Sequence, residues 1–303
     1  MARTQPKPNY LDPKVLGKVS RLGLKARLIV EGFISGLHES PFHGYSVEFA
    51  QHRKYVPGDD IRDIDWKVWA RTDRLYIKEY EEETNLKAYM MVDVSESMSY
   101  ASGTNISKQD YASYVAASLA YLMLQQHDSC GLVLFDEDVR QLLGDASHPG
   151  HLKRIVHELE ICEPAGRTEI GAVFHSLAER LKRKGLLVVI SDLFTEPEEI
   201  LRGLQHLRHK RHEVILFHVL DDAEKDFPFD GLTRFEGMEG NPDVFAEPRS
   251  LRDAYLEELN AFISRVRRGC RESHIDYVPL TTSTPLDVAL STYLAARLTR
   301  KGS

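Results

Sequence analysis

Asp93, Ser95 and Ser97 place one carboxylate and two hydroxyls at alternate positions where the apolar run Leu86 to Val94 gives out. Alternate residues of an extended chain share one side, and a bend just past the strand end lets the three converge. Three hard oxygen donors within five residues suit Mg2+ or Mn2+. A strand followed by a Ser-capped turn would give the same letters, so the pattern needs support from elsewhere. Two later stretches supply it. In Gly166-Arg167-Thr168-Glu169-Ile170-Gly171-Ala172 a Gly-led loop runs into a helix, and Thr168 near that N-terminus can turn its hydroxyl to the same crevice or simply cap the helix. A second apolar run, Gly185 to Asp192, again ends in a carboxylate. Ligands of open parallel sheets lie beyond the carboxyl ends of the strands, where the winding reverses, and both aspartates stand at such ends.

The elements that must position these groups alternate from residue 86 onward. Strands are predicted at Leu86 to Val94, Ser129 to Phe135, Val139 to Leu143, Gly185 to Asp192, Val214 to Leu220 and Ile275 to Leu280, with helices between most of them. That alternation predicts an α/β fold: a doubly wound, mostly parallel six-stranded sheet of order 3-2-1-4-5-6. The third strand is antiparallel, because Asp136-Glu137-Asp138 leaves room only for a tight turn. Residues 221 to 248, rich in Asp, Gly and Pro, read as a folded insertion with a small hairpin.

Residues 1–85 read as a separate N-terminal segment before a domain over 86–303. It has a polar, Pro-punctuated lead to about residue 12, then a helical pattern over Val15 to Phe33. The charged stretch Tyr45 to Tyr80 follows, with a turn at Pro57-Gly58-Asp59-Asp60 and short strands such as Leu75 to Tyr80. Trp66 and Trp69 are expected to be largely buried anchors. Asp59, Asp60, Asp63 and Asp65 alternate with Arg53, Lys54, Arg62, Lys67 and Arg71, which favours an ion-pair network over a metal site.

Composition bounds the function. The 303 residues hold 39 basic and 46 acidic side chains, a formal net charge of −7, which argues against nucleic acid as the main partner. The basic cluster His206 to His212 falls in the last turn of a helix, where cations complement the helix dipole. His148, His151 and His157 lack a fourth ligand spaced for zinc. Cys130, Cys162 and Cys270 are an odd, scattered set, as in a cytoplasmic protein with reduced thiols. No apolar run reaches the roughly 18 residues of a membrane span, so neither secretion nor membrane insertion is expected.

Taken together, Asp93-Val94-Ser95-Glu96-Ser97, the Thr168 loop and Ser191-Asp192 resemble the metal-ion-dependent adhesion site of von Willebrand factor A domains, over about residues 86 to 300. The resemblance implies a von Willebrand factor A-like, Rossmann-like sheet. It also implies Ser95 and Ser97 directly on Mg2+ (or Mn2+), Thr168 direct or through water, and Asp93 and Asp192 mostly through water. One coordination position would be left for a partner's Asp or Glu. Glu96 and Leu193 depart from the glycines common at those places. Upstream, Glu48-Phe49-Ala50, Tyr55-Val56-Pro57-Gly58-Asp59-Asp60, Arg62-Asp63-Ile64-Asp65-Trp66 and Ala70-Arg71-Thr72 resemble the bacterial domain-of-unknown-function 58 (DUF 58) family. That resemblance implies a partnership with MoxR-type AAA+ ATPases in chaperone-like assembly or maturation of other proteins.

The expected function is thus a non-enzymatic, metal-dependent protein-interaction module whose partner is a MoxR-type ATPase, a client offering an acid, or both. The alternative is a Mg-dependent phosphoryl-transfer enzyme with Asp93 as nucleophile. Haloacid-dehalogenase-type phosphatases need a carboxylate two residues on, where this chain has Ser95, and no P-loop is present.

Overall fold

The computed structural model describes residues 22–23, 26–30, 52–56, 66–72, 74–78 and 86–301. The lead to residue 12, the turn at Pro57, the acidic set Asp59 to Asp65 and much of the Val15 to Phe33 helix lie outside them. The chain divides into two compact units, Ser40–Asn85 and the remainder.

In the smaller unit β1 (His52–Lys54) pairs antiparallel with β2 (Tyr76–Lys78), Arg53 opposite Ile77, and Tyr55 N donates to Leu75 O at 3.1 Å. Between them α1 (Trp66–Thr72) is a helix, not the strand-and-turn texture expected here. The expected burial of the tryptophans is also corrected. Trp66 and Trp69 are 53% and 42% exposed. Three residues apart on a helix, they lie on one face and meet edge to face at 5.9 Å, so each covers part of the other.

The larger unit is a six-stranded sheet. Its strands are β3 (Lys87–Asp93), β4 (Ser129–Phe135), β5 (Val139–Ala146), β6 (Leu186–Ser191), β7 (Glu213–Leu220) and β10 (Asp276–Thr281), in the order β10-β7-β6-β3-β4-β5. All pair in parallel except β4 with β5. The predicted order and the one antiparallel strand are both present. β8 (Thr233–Phe235) and β9 (Val244–Ala246) form the hairpin of the insertion.

Alternation along the strands builds two cores. Met90, Val92, Leu132, Leu134, Val188, Ile190, Ile215 and Phe217 face one side, where α2 (Lys108–Gln125), α3 (His151–Ile161) and α8 (Leu286–Lys301) pack with the helical residues Leu22, Ala26, Ile29 and Val30. The described residues before 31 thus belong to the α/β unit, although the sequence groups them with residues 1–85. Met91, Val133, Phe135, Leu187, Val189, Val214 and Leu216 face the other side, against α4 (Ile170–Arg180), α5 (Pro197–His209) and α7 (Pro248–Glu272). Each fully buried side chain of this size contributes about 1.5–3 kcal/mol. α2 begins where Ser107 Oγ accepts Asp110 N at 3.0 Å.

Gly131 marks a tight point in this sheet. A Cβ there would lie 2.5 Å from the Tyr89 ring and 2.8 Å from Leu143 O, and the Tyr89 hydroxyl is fixed on Asp145 at 2.8 Å. Gly131→Ala is expected to cost about 1–3 kcal/mol by overpacking. Gly144→Ala, where a Cβ meets nothing within 4 Å, is expected to be neutral or mildly stabilising. Urea denaturation of the two variants checks this, and equal midpoints would contradict it.

Candidate functional site

β3 and β6 lie side by side at the centre of the sheet, so their carboxyl ends deliver Asp93 and Asp192 to one crevice. Asp93 is fully buried, and both its oxygens are engaged. Oδ1 accepts Ser95 N at 3.0 Å and Oδ2 accepts Ser191 Oγ at 2.6 Å. The chain then turns into a short 3-10 helix, Glu96–Ser99, which folds Ser97 back so that its Oγ lies 3.1 Å from Ser95 Oγ. Both serines are buried.

The Thr168 loop is tied to the same place by backbone: Ala165 N donates to Val94 O at 2.9 Å and Glu96 N to Gly166 O at 3.0 Å. Gly166 takes φ +78, a left-handed conformation that costs glycine little. Thr168 does not cap α4. The N-cap residue is Glu169, which makes no side-chain cap, and Thr168 Oγ1 donates instead to Glu239 Oε1 at 3.1 Å. All five residues singled out from the sequence therefore lie at this end of the sheet.

Several neighbours of this crevice were not anticipated. Lys108, at the start of α2, is buried and pairs with Asp192 at 2.7 Å and Glu224 at 2.6 Å. Burial opposes its charge, but the two carboxylates outweigh burial and hold the ammonium above its ordinary value. Asp192 Oδ2 is thus occupied by a protein cation, where the resemblance implied a water-mediated contact to the metal. Glu224 closes a capping box with Asp221 on α6 (Asp222–Asp226), and its own pKa is raised, mainly by burial. Sequence order hides this cluster, since Lys108 and Glu224 are 116 residues apart.

Leu193 adopts φ +58, the conformation a glycine would take freely, and its side chain is fully buried, which offsets the strain. Its N–H donates to Ser191 Oγ at 2.9 Å, so Ser191 relays between this turn and Asp93. Glu96 reaches neither Ser95 nor Ser97 by a hydrogen bond; its Oε2 accepts Glu239 N at 2.7 Å.

The donor set fits a hard divalent cation. Ser95, Ser97 and Thr168 offer hydroxyl lone pairs, and two buried carboxylates stand beside them with one lysine between Asp192 and Glu224. Among the described residues no group of three or more His, Cys, Asp or Glu side chains converges, so hydroxyls would carry much of the coordination. Burial, and then the charge of Asp192, push the Asp93 carboxyl up to about 7, although Ser191 and Ser95 hydrogen bonds oppose this. Beside Asp192, His218, whose Nε2 contacts Asp192 O at 3.1 Å and whose Nδ1 contacts the Tyr277 hydroxyl at 2.7 Å, is lowered to about 4, chiefly by burial.

Fold and crevice together define an α/β protein with an oxygen-lined site at the carboxyl edge of a central parallel strand pair. Residues 51–261 match the model of the family described as "Protein of unknown function DUF58". This match spans more than half of the chain, which therefore belongs to that family. Uncharacterized proteins of Mycobacterium tuberculosis and Mycobacterium bovis are 27% identical over 266 residues, covering 86% of this chain and 83% of each relative. Among solved structures the chain is similar to conserved hypothetical protein BatB from Bacteroides thetaiotaomicron (TM-score 0.47, 14% identity, 70% of this chain and 98% of that one). It is also similar to the SpRpn10 VWA domain (TM-score 0.42, 11% identity, 68% and 93%). Among the described residues no helix is long and apolar enough to cross a membrane.

Asp93 and His218 affect stability in opposite directions when metal is chelated. Asp93 holds its proton more tightly folded than unfolded, so its contribution is complete below its ordinary value of 3.8 and is lost as pH rises through about 7. His218 holds its proton less tightly folded, so its contribution is present above 6.5 and is lost as pH falls toward about 4. Asp93→Asn removes only the first effect. In chelator the variant is expected to exceed wild type in stability at about pH 8, with the advantage shrinking toward about pH 4. Denaturation midpoints across that range check it, and a wild-type advantage at the alkaline end would contradict it.

Proposed function

We propose that this chain is a protein-interaction module that works through one Mg2+ (or Mn2+), held by Ser95, Ser97 and Thr168 with Asp93 and Asp192 beside them. The observation that supports this best is the buried hydroxyl pair of Ser95 and Ser97, 3.1 Å apart and locked to Asp93 through Ser95 N. The two hydroxyls hydrogen-bond each other, and each keeps lone pairs that can serve a cation. When bound, the ion would present an electrophilic position to a carboxylate of another protein. Asp93 fixes the turn and balances charge, Ser191 orients Asp93, and Lys108 restrains Asp192.

The partner we favour is a MoxR-type AAA+ ATPase, or a client presenting Asp or Glu, with this chain as adaptor in chaperone-like assembly or maturation in the cytoplasm. Support comes from the resemblance carried by the Glu48 to Thr72 motifs and from membership of the family. A nucleophilic role for Asp93 is disfavoured: the residue is fully buried and both oxygens already accept hydrogen bonds.

Affinity capture of a purified MoxR-type ATPase by this chain tests the reading. Capture is expected in Mg2+, and it should be lost in chelator and in Asp93→Ala, with chelator adding nothing to the variant. Equal capture by wild type and Asp93→Ala, with and without metal, would sink the reading.

A further inference from the structure

The segment between β8 and β9 brings a carboxylate onto the site from 71 residues beyond Thr168 in the chain. Glu239 is only 7% exposed. Its Oε1 accepts the Thr168 hydroxyl at 3.1 Å and its Oε2 faces Thr168 N at 3.4 Å. Both donors are neutral, and among the described residues no Lys, Arg or His pairs with this carboxylate. The Arg167 guanidinium meets its backbone: Arg167 Nε donates to Glu239 O at 2.6 Å. A buried carboxylate held by neutral donors alone is costly, and positive charge arriving from outside would offset that cost.

The backbone is held for this purpose. Glu239 takes φ +57, which a glutamate rarely adopts and which persists only where its surroundings enforce it. The enforcement is visible on both sides of the residue. Glu96 Oε2 receives Glu239 N at 2.7 Å, Arg167 holds its carbonyl, and Gly240 follows at φ +75 against the Arg167 guanidinium. The base of the segment is closed by Asp243, which accepts Gly237 N at 3.0 Å and pairs with Arg234 at 2.6 Å. This explains the glutamate at position 96: it secures the segment that carries Glu239.

We propose that Glu239 is a ligand of the divalent ion at Ser95, Ser97 and Thr168, filling from within the chain the coordination position that an outside acid would otherwise take. The inference rests on the metal reading above. Its consequence is that the resting site is closed, and a partner's carboxylate engages the ion only by displacing Glu239 and the turn that bears it.

Mn2+ binding followed by electron paramagnetic resonance, with water-proton relaxation to count the waters on the bound ion, tests this. Wild type, Glu239→Gln, Glu239→Gly and Asp93→Ala are compared. The glutamine keeps the side-chain shape, and the glycine takes the left-handed backbone without strain, so one variant preserves each feature of the fold. Both Glu239 variants are expected to gain about one inner-sphere water and to bind Mn2+ about tenfold or more weakly. An unchanged water count in both, with Asp93-dependent binding by wild type intact, would overturn the proposal and leave the metal site standing. Absence of Mn2+ binding by wild type, or equal binding by Asp93→Ala, would overturn the metal reading and this proposal with it.

Discussion

Asp93 is a carboxylate at the carboxyl end of a strand that is apolar on both faces, and water cannot satisfy it there. An unpaired carboxylate so placed is costly, and the surrounding structure is arranged to meet that cost. Ser95 N and Ser191 Oγ take its two oxygens, which forces the chain to bend immediately after β3 and fixes the end of β6 against it. The bend sets Ser97 beside Ser95, and the bonds from Val94 and Glu96 to the 165–166 backbone draw Thr168 in. One buried charge thus organises two strand ends and a loop.

The charge balance around it is divided between two ends of the crevice. Lys108 neutralises the Asp192 and Glu224 side, where α2 and α6 begin, and this ties helix starts to the sheet edge. On the Thr168 side Glu239 adds a carboxylate held by neutral donors, the neighbouring Arg167 guanidinium being bound to the Glu239 backbone carbonyl. The site is therefore lopsided, with a lysine between two carboxylates on one flank and a carboxylate on neutral donors on the other.

Much of this could be read from the sequence because the signals were local or periodic. Apolar runs such as Met90-Met91-Val92 and Leu187-Val188-Val189-Ile190 belong to strands buried on both faces, and Asp136-Glu137-Asp138 is too short to permit anything but an antiparallel return. Asp93, Ser95, Ser97, Thr168 and Asp192 stood out because their types and positions fit one crevice. Lys108, Glu224 and Glu239 did not, since each acts through a partner distant in sequence and has no local pattern to distinguish it from a solvated surface charge. The Trp66 and Trp69 expectation failed because large aromatics among charges were equated with burial; here they cover each other on one helix face. Leu193 shows the limit of a glycine argument, since a left-handed turn is kept by a leucine whose side chain is buried enough to hold it.

The central claim is that these oxygens form one cation site. Anomalous diffraction from crystals grown with Mn2+ tests it most directly. The account predicts a single peak bounded by Ser95 Oγ, Ser97 Oγ and Thr168 Oγ1. Saturating Mn2+ with no peak at that position would contradict it.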